Sequence, residues 1–186
     1  MLFDYSDKSH NFQLKLQHFM EQHVYPNEAA YAQQLQQAQN RFAALALMDE
    51  LRQKAREAGL WNLFVPEEHA QYCAHGGLGF VDYFPLAEIM GRVLWSAEVF
   101  NCNAPDSGNM EALMNYANAE QKQQWLQPLL RGDMHSSYAM TEPDVASSDA
   151  SNIQLSMKRD GDDWLLNGHK WFITGAASAS HFILIA

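Results

Sequence analysis

Positive charge is scarce in this chain. There are 12 lysines and arginines against 22 aspartates and glutamates, a formal net charge of −10. Whole-protein electrostatics therefore argue against nucleic acid as a partner. They do not favour an anionic small molecule either, so any such ligand needs locally placed donors. Cysteine is scarcer still. Cys73 and Cys102 form no Cys-x-x-Cys pair and cannot build a disulfide framework. They read as reduced thiols of a cytoplasmic protein. Long apolar runs are missing, and none approaches the length of a membrane span. Met1-Leu2-Phe3-Asp4-Tyr5 carries an acid and no basic cluster, so no secretory or mitochondrial leader is visible. His69, His75 and His135 have no ligand partner at metal spacing and read as surface or core histidines.

What remains is an ordinary soluble composition of 186 residues, 47% hydrophobic and 18% charged. That is enough for one large domain, or for one domain and part of another. Phe12, Leu16 and Phe19 recur at helical spacing and predict a helix over 7–24, stopped by Pro26. A second helical region is expected over 28–58, with Met48, Leu51, Ala55 and Ala58 in one stripe and Gly59 at its C-cap. Gln33-Gln34-Leu35-Gln36-Gln37 reads as a solvated face of that helix. The Gly76-Gly77-Leu78-Gly79 cluster lacks the Lys-Ser/Thr of a phosphate loop and reads as a helix-entry turn. Leu86, Ile89, Met90, Val93 and Leu94 predict a core-facing helix over 81–95. Further helices follow over 108–118, with Ser107 as N-cap, and over 120–131. In the latter Trp125 and Leu129 point inward and Pro128 breaks or bends the run.

At Gly132-Asp133 the pattern changes to alternation. Strands are expected at 137–140, 153–157, 164–166 and 182–185, with Arg159-Asp160-Gly161-Asp162-Asp163 as a hairpin turn. The fold class is therefore α+β: a helical domain over 1–131, then an incomplete antiparallel β domain over 132–186.

Chemistry concentrates between Tyr138 and Thr174. Tyr138-Ala139-Met140-Thr141-Glu142-Pro143 runs into a loop of small and hydroxylated residues ending Ser147-Ser148-Asp149. Hydroxyls and open backbone N–H groups suit an approaching anion. After the hairpin comes Asn167-Gly168-His169-Lys170-Trp171-Phe172-Ile173-Thr174-Gly175. An aromatic pair can cover a planar ring while a hydroxyl or the backbone bonds its edge. Together these suit a ligand with a flat heteroaromatic end and a phosphate end, as FAD has.

These residues resemble the acyl-CoA dehydrogenase family. Ala139-Met140-Thr141-Glu142-Pro143, Ser148-Asp149 and Phe172-Ile173-Thr174 match successive parts of its signature. The loop from Pro143 to Ser148 is one residue longer than the common form, with Val145-Ala146-Ser147 in place of Ala-Gly. Together with Phe100-Asn101-Cys102-Asn103-Ala104-Pro105-Asp106-Ser107-Gly108-Asn109-Met110, that variant is similar to a subfamily handling long-chain or 4-hydroxyacyl-CoA thioesters. The resemblance covers most of the chain from Ala58 onward.

The resemblance implies an FAD-dependent oxidation of an acyl-CoA, with an electron-transfer flavoprotein as partner and a homo-oligomeric state. Tyr138, Ala139, Met140, Thr141, Ser147, Ser148, Phe172, Ile173 and Thr174 become the cofactor-binding candidates, with Thr141 and Thr174 along the flavin edge. Ser148 is also the substrate-binding candidate; Ser147 competes with it because of the inserted residue. Phe172 takes the place of the stacking tryptophan, and Trp171, on the opposite face of an extended segment, packs inward. Tyr138 borders the flavin or acyl chain, or is a core tyrosine. Asp106 is a helix-entry residue or lines the substrate tunnel. Glu142 is a structural turn element, not the base. No catalytic residue is expected within the chain, because the family's base lies in a C-terminal helical domain absent here. Two other readings stay open. One is a non-catalytic remnant or interaction module that does not hold FAD alone; the other is an oxidase or nitroalkane-oxidising relative.

Overall fold

The computed structural model describes residues 4–40 and 42–186. Met1-Leu2-Phe3, read for a leader, lies outside the described residues. Helix α1 (Asp7–Phe19) opens on Ser6, whose hydroxyl accepts the Ser9 N–H at 3.1 Å. The helix widens into a π-helical turn (Met20–Val24), and Leu16, Phe19, Met20 and Val24 are all buried. Pro26 does not stop the run. It sits in a short 3-10 turn (Tyr25–Asn27) that leads directly into α2 (Glu28–Gln37).

The helix expected over 28–58 is two helices, α2 and α3 (Ala46–Glu57). The backbone turns extended at Ala38. Local side chains take the amides that a continuous helix would need: Asn40 Oδ1 accepts the Phe42 N–H at 2.9 Å, and Gln34 Oε1 accepts the Leu47 N–H at 3.2 Å. Leu47, Met48, Leu51 and Ala55 bury the inner face of α3. Gly59 closes it with φ +69°, as its position suggests. Its N–H bonds the Arg56 carbonyl and the Leu60 N–H bonds Ala55, a Schellman motif.

Gly79 is the N-cap of α4 (Phe80–Met90), so the glycine cluster is indeed a helix entry. The expected stripe breaks at the C-cap Gly91. Val93 is buried in the following turn, but Leu94 is fully exposed. After α5 (Ser96–Val99), helix α6 spans Asp106–Tyr116 and begins on Pro105; Ser107 lies inside its first turn and does not cap it. The last helical stretch is α7 (Ala119–Gln121), a π-helical turn (Lys122–Leu126) and α8 (Gln127–Arg131). Pro128 lies inside a helical run that is continuous from Ala119, just after its π-helical turn, and does not break it. Leu126 and Leu129 are buried; Trp125 is half-buried. Carbonyls at the end of α8 are met by buried amides. Asn62 Nδ2 bonds Leu130 O and Asn101 Nδ2 bonds Leu129 O, each at 2.9 Å.

The β region has two pairs. β2 (Ser156–Asp160) and β3 (Asp163–Asn167) form the expected antiparallel hairpin around Gly161. β1 (Ser136–Ala139) and β4 (His181–Leu184) pair parallel, from Ser136↔His181 to Ala139↔Leu184. Between assigned strands the antiparallel expectation therefore holds for the hairpin and not for β1 and β4. A parallel pair needs a long crossover, and the segment carrying the hairpin supplies it. The architecture is thus a helical N-terminal region followed by a small β region. Among the described residues no helix is long and apolar enough to cross a membrane.

Candidate functional site

The segment after the hairpin folds back along β1. The Trp171 N–H donates to the Thr141 carbonyl at 3.1 Å, and Ser137 Oγ donates to the Thr174 carbonyl at 2.8 Å. Residues 171–174 thus run antiparallel to 137–141. Thr141 and Thr174, separated in sequence by a loop and a hairpin, are brought to one edge. Both are exposed, as is Tyr138; Met140 and Ile173 are half-buried and Ala139 is buried.

Trp171 does not pack inward. It is 41% exposed, and Phe172 beside it is 82% exposed. The inward expectation assumed strand alternation, but residues 168–174 are irregular and Phe172 holds φ +49°. The two rings meet at 4.6 Å between centroids, tilted, and lie open at the surface.

Below this edge sits a buried polar knot. Glu142 Oε1 accepts from Lys170 Nζ at 2.9 Å and from the Leu155 N–H at 2.8 Å; Oε2 accepts the Gln154 N–H at 2.7 Å. Lys170 Nζ also donates to the Met140 carbonyl at 2.8 Å. Burial alone would raise the Glu142 carboxyl, but the bonds from Gln154, Lys170 and Leu155 prevail and hold it below the usual carboxylate range. The carboxylate thus ties the backbone at 154–155 and the Lys170 side chain to the segment that follows β1. Ser147 is buried, and its hydroxyl accepts the Glu142 N–H at 2.7 Å, closing the loop on itself. Ser148 is exposed.

A cavity of about 500 Å³ adjoins the edge, between the helices and the β region. Met48 and Tyr31 line its helical side, Asn103 and Asp106 its middle, and His135 and Thr174 its β side. Asp106 opens α6, as a helix-entry residue would, and its side chain borders this cavity. Its Oδ1 accepts the Ser136 N–H and hydroxyl, each at 2.6 Å, and Oδ2 meets His135 Nδ1 at 2.8 Å. Burial would raise the Asp106 carboxyl, but His135 and Ser136 outweigh it and leave it lowered. The bond to Asp106 raises the His135 imidazole against the pull of burial. Asn103 Oδ1 is buried with no hydrogen-bond partner among the described residues. Arg52 and Glu98 pair on the cavity wall.

His69 and His75 serve local contacts. His69 meets Asn115 Oδ1 and His75 meets the Asn62 carbonyl, both at 3.0 Å. Both cysteines are free, and burial pushes the Cys102 thiol up to about 12.

Sequence reasoning missed Lys170 and the Asp106–Ser136 junction. The first had a signal, a lysine directly before the aromatic pair. The second had none, because residues 106 and 136 belong to separate elements.

Comparison with known proteins gives these observations a family. Residues 6–133 match the family described as acyl-CoA dehydrogenase, N-terminal domain, and residues 137–186 match acyl-CoA dehydrogenase, middle domain. The human acyl-CoA dehydrogenase family member 11 is 44% identical over 180 residues, covering 95% of this chain and 22% of that protein. The structure of a putative acyl-CoA dehydrogenase from Mycobacterium abscessus superimposes with a TM-score of 0.82 at 44% identity, covering 92% of this chain and 43% of that one. A glutaryl-CoA dehydrogenase from Mycobacterium smegmatis, solved in complex with FADH2, shares the fold at TM-score 0.67 and 22% identity, covering 96% of this chain and 42% of that one. The chain thus spans less than half the length of these proteins.

Proposed function

Because the chain belongs to the acyl-CoA dehydrogenase family, we propose that residues 138–174 form the flavin-facing edge of an FAD-dependent dehydrogenase acting on an acyl-CoA. One observation carries this reading: the antiparallel seating of 171–174 on 137–141, which unites Thr141 and Thr174 beside the exposed rings of Trp171 and Phe172. The donor set fits the group. Thr141 and Thr174 offer hydroxyls to a ring edge, Phe172 offers a face, and the exposed Ser148 offers a hydroxyl to phosphate or thioester. Tyr138, Ala139, Met140 and Ile173 supply the backbone of the same edge. Ser147 acts by shaping the loop that presents Ser148.

FAD, when bound, supplies the acceptor for the hydride lost from the acyl β-carbon. The chain's own share is to orient and cover that group. The α-proton needs a carboxylate base, a role we do not assign to Glu142, which is buried and bonded to Gln154, Leu155 and Lys170. An electron-transfer flavoprotein as electron acceptor, a homo-oligomeric state, a cytoplasmic location and a domain boundary at 131–132 belong to the same proposal.

A second reading has its own support. All of β3 is exposed, Trp164, Leu165 and Leu166 included. This openness favours a chain that keeps the fold but does not hold FAD alone. Visible absorption after incubation with FAD and gel filtration separates the two. A retained flavin band supports the first reading, and a colourless, folded protein supports the second.

A further inference from the structure

We propose that the Lys170–Glu142 pair is a latch that sets the register of the flavin-facing edge, making both positioning residues and neither one catalytic. The inference rests on the flavin reading above.

The pair is almost fully enclosed, with the Lys170 side chain 8% and the Glu142 side chain 5% exposed. Two buried charges are unfavourable unless each is fully satisfied. Here they are satisfied by groups from separate stretches of chain. Glu142 draws in the amides of Gln154 and Leu155, which lead into the hairpin. Lys170, which leaves the hairpin, reaches back to Glu142 and to the Met140 carbonyl. Both strands of the hairpin are thereby anchored at their base to the end of β1.

The position of the latch matters more than its strength. The bond from Trp171 N–H to Thr141 O is the next step along both segments. Moving Lys170 relative to Glu142 would therefore displace Thr141 against Trp171 and Phe172. On the loop side, the Glu142 N–H bonds Ser147 Oγ, so the same residue also fixes the turn that exposes Ser148. Apolar packing cannot hold this register, because Ala139 and Leu155 are the buried apolar residues of the β region among those described. The hydrogen bonds must do so.

The test uses the full chain with Lys170→Met, Lys170→Arg and Glu142→Gln, read in two ways. Without ligand, amide hydrogen exchange is followed at Trp171, Gln154 and Leu155. With FAD, affinity and the shape of the bound flavin band are measured per folded molecule. Lys170→Met is expected to speed exchange at those amides roughly tenfold or more while α3 and α4 stay unchanged. It should also weaken FAD binding by about tenfold and alter the band. Lys170→Arg, which keeps the charge and the donors, should restore most of both. Unchanged exchange in Lys170→Met would overturn the latch. Faster exchange with an unaltered flavin band and affinity would overturn its positioning role, leaving it merely structural. If Lys170→Met does not fold, the near-isosteric Glu142→Gln takes its place under the same criteria. A wild-type chain that takes up no FAD overturns the claim that this chain holds the cofactor alone; the exchange result then decides by itself whether the latch sets the register.

Discussion

The helical and β regions of this chain are held together by different forces. Helices α1, α3, α4 and α6 bury Leu16, Leu51, Leu86 and Met110 completely. In the β region only Ala139 and Leu155 are buried apolar residues among those described, while Met157, Trp164, Leu165, Leu166, Trp171, Phe172 and Phe182 are exposed. One half is closed by apolar burial. The other is tied by bonds: Ser136 to Asp106, Ser137 to Thr174, and Lys170 and the backbone to Glu142. The open half also carries the edge proposed above to face the flavin. An exposed apolar surface beside convergent hydroxyls belongs to a site that something else covers.

The largest effects should separate the two regions by stability. Leu86→Ala, in the helical core, should lower unfolding free energy by about 2–5 kcal/mol in denaturant titration. Leu165→Ala, on exposed β3, should change it by less than about 0.5 kcal/mol. Equal losses would mean that the hairpin is packed and the contrast is false.

Next comes the junction. Asp106→Ala leaves the Ser136 N–H and hydroxyl and the His135 imidazole without their acceptor. A loss of about 2–4 kcal/mol is expected, together with faster amide exchange in β1. A loss without change in β1 would place the effect in the helices alone.

The pH dependence of the same junction is smaller. The His135 pKa is raised in the folded protein, so its contribution is fully present below its unfolded value near 6.5. It fades as pH rises through the higher folded value. The Asp106 pKa is lowered, so its contribution is present above the unfolded value near 3.8 and is lost as pH falls through the folded one. His135→Gln should remove the alkaline fade, worth under about 1 kcal/mol for a partly exposed imidazole. A fade that persists in His135→Gln assigns it to another group.

The legible and illegible parts divide along this contrast. Gly59, Gly79 and the turn around Gly161 were readable because each acts through its own backbone or its nearest neighbours. The break between α2 and α3 was not, because it depends on Gln34 capturing the amide of Leu47 thirteen residues on. Leu94 follows the periodicity of α4 yet lies beyond the glycine that ends it. The parallel pairing of β1 and β4 and the outward turn of Trp171 are likewise products of the crossover. Motif spacing named Thr141, Phe172 and Thr174, and it marked the place of Lys170 beside the aromatic pair without giving its role. Its role depends on being buried, which is unusual for lysine.

A change in stability as small as that at Leu165 is expected at Phe172. Phe172→Ala should leave unfolding within about 0.5 kcal/mol of wild type while reducing FAD retained through gel filtration. Unaltered retention would remove Phe172 from the site.

The most direct measurement is residue-level amide hydrogen exchange of the full chain with and without FAD. The account predicts slowed exchange confined to 138–148 and 171–174, with α3 and α4 unaffected. Protection confined to the helical region, or no protection along that edge while FAD is bound, would contradict it.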